Sequence, residues 1–338
     1  MRFEKAKTGA ITQYLLEKIA AQDPRVVQSV SAAFSIDQST VHRYLKELLS
    51  KGVIRRAKRG RYELVTTAET YTFLRSRGEL EEEQRIYNDH LFSHFSNLSN
   101  NIRYCWDYIL GEMINNVIDH SQAETLLVTV QQNYLKTFVF IKDDGIGIFK
   151  KIRDHFGLSS LDDAICELFK GKLTTDPDHH SGEGIFFSSR MADEFLILSD
   201  EKLFTIDKFD KDTLLGLPAE VSGTLVAIGL SNFSNKQPAE VFDQFAQVDG
   251  GFTKTSIPLK NIFDSAPVSR SQAKRICQRL DAFQEVTLDF SGLDWMGQGF
   301  AHQIFVVFQN GHPDLVLRPI NMSEGVAKMY RHVTAPQG

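Results

Sequence analysis

Cysteine is scarce in this 338-residue chain: Cys105, Cys166 and Cys277 stand far apart and form no CxxC pair. That spacing excludes a disulfide framework and a zinc ribbon, and fits reduced thiols in a cytoplasmic protein. Long apolar runs are missing as well. No stretch approaches the roughly 18 residues that suggest a membrane span, and the first residues, MRFEKAKTGAITQYLLEK, lack the apolar core and cleavage site of a secretory signal. A cytoplasmic protein with no membrane partner is expected. The ten histidines form no ligand set; His90 and His94 stand four apart, but no HExxH surrounds them. No GxxxxGK[ST] loop occurs, which argues against a Walker-type NTPase, and no Ser–His–Asp nucleophile elbow is evident. Repeats and low-complexity tracts are absent too.

What is present is length, an ordinary apolar content and an uneven charge. A chain of 338 residues is enough for two or three domains, each with its own core. Residues 1–65 hold thirteen Lys and Arg against six Asp and Glu, a net of +7; with −5 overall, the remainder carries −12. A basic head on an acidic body suggests an anionic partner for the head. Four stretches differ in character: helices and a basic hairpin over 1–65; a polar, mostly helical linker over 66–100, with the acidic run Glu79 to Glu83; alternating helices and strands over 101–260; and a smaller α/β pattern over 264–334. The seams are expected near Thr66 and near Ile257–Pro267.

In the head, Val26–Phe34 reads as an amphipathic helix, followed by a turn at Ser35–Asp37 and a second helix over Gln38–Lys51, with Asp37 or Ser39 able to cap it. Val41, Leu45 and Leu48 fall at helical spacing and face inward, which leaves Thr40, His42, Arg43 and Lys46 outward. After Gly52 come Val53-Ile54, the run Arg55-Arg56-Ala57-Lys58-Arg59-Gly60-Arg61, and Tyr62-Glu63-Leu64-Val65, read as two short strands around a basic tip. This order resembles the winged helix-turn-helix family. The resemblance implies that Thr40, His42, Arg43 and Lys46 meet a DNA groove and that Arg56, Lys58, Arg59 and Arg61 meet backbone phosphates. Five cations at the tip would make binding steeply salt-dependent. A winged helix used for dimerisation or domain docking is the alternative.

Three segments further on carry chemistry. In GEMINNVIDHS, Glu112, Asn116 and His120 are four apart and share one helix face, while Met113, Val117 and Ile109 point to the core. A carboxylate, an amide and an imidazole on one stripe are costly to bury without partners, so the stripe is expected to line a site or to face solvent. The apolar strand Thr137–Ile141 leads into Lys142-Asp143-Asp144-Gly145-Ile146-Gly147. A strand-end Asp before GxG lets a carboxylate accept a hydrogen bond from an exocyclic amine, with glycines bending the backbone beside it. Third, His180-Ser181-Gly182-Glu183-Gly184 opens a helix, where backbone N–H groups and the positive helix end favour phosphate.

In this order and spacing the three segments, over about residues 83–232, resemble the GHKL ATPases: gyrase, the heat-shock chaperone ATPases, histidine kinases and MutL. The resemblance implies ATP and Mg²⁺ as cofactors on an α/β sandwich of the Bergerat type. Carried over, Asn116 would bind Mg²⁺ beside Glu112, the catalytic candidate, with His120 on the same face. Asp143 would read the adenine amine, Gly145 and Gly147 would shape its pocket, and Gly182 and Gly184 would contact phosphates. Gly223-Thr224 looks like the late GT element of the family, with Thr224 reaching the base or a water. Residues His155–Ser181 stand where the family has its lid, with Lys170, Lys172 and Thr174 as phosphate candidates. The E-x-x-x-N-x-x-x-H form ending in His120-Ser121 looks most like the anti-sigma-factor serine kinases. No helix with a phosphoacceptor His in the right surroundings marks a sensor kinase; His94 is the nearest candidate. Glu112 could instead be a general base for water, and the sequence does not separate these roles.

The C-terminal stretch reads as helix (Ser271–Phe283), strand (Glu285–Phe290), helix (Gly299–Phe308), strand (Asp314–Pro319) and helix (Ser323–Tyr330). Val286 to Phe290, Ser291-Gly292 and the loop to Phe300 resemble a STAS domain. In anti-sigma systems a GHKL kinase phosphorylates a Ser in that loop of a separate STAS partner; here Gln298-Gly299 stands where the acceptor is expected, with Ser291 earlier. The domain is therefore read as a docking or sensing module. The chain as a whole is expected to be an α+β protein in which a slow ATPase switch couples nucleotide state to DNA binding, transcription regulation and protein docking. The alternatives are a serine kinase acting on a STAS partner, an ATP-gated homodimeric clamp, and a scaffold with a degenerate pocket.

Overall fold

The computed structural model describes residues 2–58, 60–173, 182–206, 221–247, 251–263 and 265–335, the side chains of residues 2–6, 58 and 247 excepted. It is a mixed α/β protein. The head packs three helices, α1 (Arg2–Ala20), α2 (Val26–Phe34) and α3 (Gln38–Ser50), beside an antiparallel hairpin of β1 (Ile54–Lys58) and β2 (Arg61–Leu64). Its core is its own: Leu15, Leu16, Val30, Val41, Leu45 and Leu48 are buried together. Ser35, in the left-handed region at φ 51°, ends α2 and turns the chain into α3. Asp37 holds the N-cap position of α3, yet its side chain makes no capping bond. The basic run also differs from expectation. Arg55, Arg56 and Lys58 belong to β1 and Arg61 opens β2, so the strands reach further into the run than expected, and Arg55 pairs with Glu63 across the hairpin at 3.1 Å.

The central unit is a six-stranded antiparallel sheet in the order β3-β4-β5-β8-β6-β7. Its strands are β3 (Thr67–Leu74), β4 (Thr125–Gln132), β5 (Lys136–Asp143), β6 (Glu194–Asp200), β7 (Lys202–Thr205) and β8 (Val221–Ser231). Alternation sorts the strand residues onto two faces. Leu126, Val128, Val139, Ile141, Ile197 and Ile228 join the main core, which also takes in the buried side of the long helix Asn100–Asn115 through Trp106, Ile109 and Met113. Leu196, Leu198, Leu225 and Ala227, with Phe140, form a smaller cluster on the other face. Burying each such side chain contributes roughly 1.5–3 kcal/mol. The linker expected to be mostly helical is not so throughout: Thr67–Leu74 is the edge strand β3, paired along its whole length with β4. Its Thr-rich alternation suits a strand with one face in solvent.

The C-terminal sheet is parallel and three-stranded, β11 (Lys254–Pro258), β12 (Glu285–Asp289) and β13 (Val316–Ile320), after the short pair β9 (Ala246–Gln247) and β10 (Gly251–Phe252). The sequence grouped β11 with residues 101–260; its hydrogen bonds place it in this sheet instead. Ser269 and Gln272 form a capping box at the start of helix Arg270–Cys277, and Ser323 caps helix Glu324–Thr334. The cores of the central and C-terminal units are continuous. Among the described residues no helix is long and apolar enough to cross a membrane.

Candidate functional site

The three chemistry-bearing segments meet at one cleft of about 260 Å³. Glu112, Asn116, His120, Asp143, Gly147, Gly182, Gly184 and Thr224 all line it. Gly145 does not: it sits behind, its amide donating to Asp143 Oδ1 at 2.8 Å and its Cα packed on the Ser121 carbonyl. The stripe Glu112–Asn116–His120 runs down the Asn100–Asn115 helix into a wider, π-type turn at Asn116–Ser121, a departure that turns up often at functional sites.

The two adjacent aspartates have different tasks. Asp144 Oδ1 accepts from the amides of Glu124 and Thr125, both at 2.9 Å, and so fastens the start of β4. Asp143 ends β5, lines the cleft and is 5% exposed. Burial pushes its carboxyl up to about 6, against the pull of hydrogen bonds from Gly145 and Thr224 and with a push from the Asp144 charge. Strand β8 crosses directly above this turn. Gly223, at φ +80°, makes that possible, since a Cβ there would stand 2.3 Å from the Asp143 carbonyl oxygen. Thr224 follows, buried, its Oγ1 accepting from the Ile148 amide at 3.1 Å.

Glu112 reaches across to the third segment. A Cβ on Gly184 would lie 2.0 Å from Glu112 Oε2, so that carboxylate rests on the first turn of helix Gly184–Met191. An anion there is favoured by the helix end. Glu112 and Glu183 both add to the strong burial effect that raises the Tyr108 hydroxyl's pKa.

The lid candidates go elsewhere. Lys170 is 1% exposed, pairs with buried Glu167 at 2.5 Å, and donates to the carbonyls of Arg275 (3.0 Å) and Gln278 (2.6 Å). Lys172 donates to the Ala282 carbonyl at 3.0 Å and lies over the rings of Phe252 and Phe283. Both are turned to the C-terminal unit and neither lines the cleft, where they were expected; Thr174 lies outside the described residues. Leu168, Gly171 and Leu173 of the same segment do wall the cleft. Lys151, which sequence reading passed over, lines it too. Ile148, Lys151 and Ile152 fall on one face of helix Ile148–Phe156, a spacing that in the sequence alone marks no more than an amphipathic helix.

On the head, His42, Arg43, Lys46, Arg56 and Arg61 are exposed and Thr40 is half-buried. The side chain of Lys58 and all of Arg59 lie outside the described residues. In the C-terminal unit Gln298 opens the helix Gln298–His302, while Ser291 sits at the end of β12, its amide bonded to Asp289 Oδ1 at 2.9 Å. Trp295 stands between them, 52% exposed.

A comparison with curated proteins found no match. Residues 272–327 match the protein-family model described as a STAS-like domain of unknown function (DUF4325), so the C-terminal part of the chain holds a STAS-like domain.

Proposed function

We propose that this chain is an ATP- and Mg²⁺-responsive regulator, with a GHKL-type nucleotide site in its central unit, a winged-helix head that binds DNA, and a STAS-like domain that docks protein. The observation that carries this reading is the meeting of Glu112, Asn116, Asp143, Gly182, Gly184 and Thr224, drawn from four separate stretches, around one cleft. Asp143 is suited to accept from an adenine amine: it is buried, ends a strand and lines the cleft. Among the described residues no group of three or more His, Cys, Asp or Glu could hold a metal by itself. Asn116 with Glu112 alongside suits Mg²⁺ brought by a nucleotide, because that ion keeps several waters and takes few protein ligands besides phosphate. Bound Mg²⁺–ATP would supply a polarised phosphoanhydride. Glu112 would orient water or hold the ion's shell, and Gly182 and Gly184 would offer backbone N–H groups to phosphate. Slow hydrolysis then resets a switch that alters how the head and the STAS-like domain are presented.

Calorimetry with ATP, with and without Mg²⁺, tests the site. Asn116→Ala should lose the Mg²⁺-dependent part of the affinity, and unchanged binding would overturn the assignment. Incubation with γ-labelled ATP then separates the outcomes. Free phosphate that disappears in Glu112→Ala supports a switch ATPase, and label on protein supports a kinase instead.

A further inference from the structure

Lys151 is the one lysine or arginine among the described residues that line the cleft. The neighbouring cations are committed elsewhere, Lys170 and Lys172 being held by carbonyls of Arg275, Gln278 and Ala282. The stretch 174–181, Thr-Thr-Asp-Pro-Asp-His-His-Ser, contains neither lysine nor arginine. The cleft also carries the carboxylates of Glu112 and Asp143. A polyphosphate entering it meets like charge, which an accompanying Mg²⁺ offsets only in part, so a protein cation in the cleft adds to its binding.

Lys151 is placed to do so. It lies on the first turn of the helix Ile148–Phe156, between cleft-lining Ile148 and Ile152. Its Nζ donates to the His120 carbonyl at 2.9 Å, at the far end of the Glu112–Asn116–His120 stripe. An ammonium on a four-carbon stem is a mobile point charge, able to exchange a carbonyl for a stronger, charge-assisted bond to phosphate. We propose that Lys151 is the phosphate-selecting residue of this cleft: it leaves the His120 carbonyl for a nucleotide phosphate oxygen and sets the preference for ATP over adenosine. The inference rests on the nucleotide reading above.

Binding of ATP–Mg²⁺ and of adenosine is to be measured side by side for the wild type, Lys151→Met, Lys151→Arg and Lys150→Met. Lys150 is the internal control: it is on the same helix and pairs with Asp200 at 2.5 Å rather than lining the cleft. Lys151→Met should weaken ATP by roughly tenfold or more while adenosine affinity stays within error. Lys151→Arg should restore most of the loss, and Lys150→Met should behave as wild type. An unchanged ATP affinity in Lys151→Met, equal weakening of ATP and adenosine, or an equal loss in Lys150→Met overturns the role given to Lys151 and leaves the nucleotide site standing. A wild-type protein that binds neither compound overturns both.

Discussion

Asp143 is a cleft residue whose carboxyl is held well above its ordinary range. Its pKa is raised from 3.8 to about 6, first of all by burial. A carboxyl with a raised pKa contributes stability that is fully present below about 3.8 and is lost as pH rises through about 6. Asp143→Asn should therefore stabilise the ligand-free protein above pH 6, by on the order of 2 kcal/mol, read from urea midpoints at pH 5 and pH 8. Ligand binding has the opposite sign. On the nucleotide reading, an amine donor bonds more strongly to the ionised carboxylate than to a neutral carbonyl, so ATP affinity should fall below pH 6, by up to about tenfold per unit, and the Asn variant should bind more weakly with no such slope. A flat profile in the wild type would remove Asp143 from the base-reading role. Asp143 and the Glu112 stripe were legible in the sequence because strand-end position and four-residue spacing are local facts. Lys151 was not, since a Lys-Lys pair on an amphipathic helix reads as a solvated face. Lys170 misled for a related reason: its partners, the carbonyls of Arg275 and Gln278, are more than a hundred residues away.

Elements meet at two joints that variants can probe. At the first, helix Gly184–Met191 abuts Glu112, whose Oε2 stands 2.0 Å from where an alanine Cβ would go. Gly184→Ala should displace that carboxylate at a cost of about 1–3 kcal/mol. Adding Glu112→Ala should return most of it, which a double-mutant cycle in urea measures; additive losses would mean that the two groups do not meet. At the second joint, segment 161–173 is fastened to the STAS-like domain. Asp163 pairs with Arg275 at 2.6 Å, Thr255 donates to the Lys170 carbonyl at 2.6 Å, and Arg279 donates to that of Lys172 at 3.1 Å. Lys170→Met leaves Glu167 buried, with Arg279 at 3.8 Å as a remaining cation. A loss of about 3–5 kcal/mol is expected, with faster amide exchange over 161–173. Stability within 1 kcal/mol of wild type would show that the pair is dispensable. The strands this joint depends on were the harder part to read. The partner of β11 begins about thirty residues later and that of β3 about fifty, and pairing at such range leaves no periodic trace beside either strand.

Among the described residues the three units are built on two main cores. The central sheet and the STAS-like domain share a core, whereas the head has its own, reached from the central unit by Leu135 in the β4–β5 turn. Strand β5 starts one residue later and ends at Asp143 in the cleft. A single strand therefore runs from the contact with the head to the carboxylate that is proposed to read the base. If nucleotide state is to reach DNA, this strand is a packed route for it, and the coupling it carries must be reciprocal. Two measurements follow. Arg43→Ala and Lys46→Ala should each lower the magnitude of the salt slope of DNA binding by about one and leave ATP affinity unchanged, since both side chains are exposed on a unit with a separate core. Leu135→Ala should leave the salt slope and the ATP affinity as they are, but should abolish the difference in DNA affinity between the ATP-bound and ATP-free protein, measured by fluorescence anisotropy. If that difference survives the Leu135 change, Leu135 does not carry the signal, and a glycine-rich replacement of Val65–Thr66 then tests the covalent link.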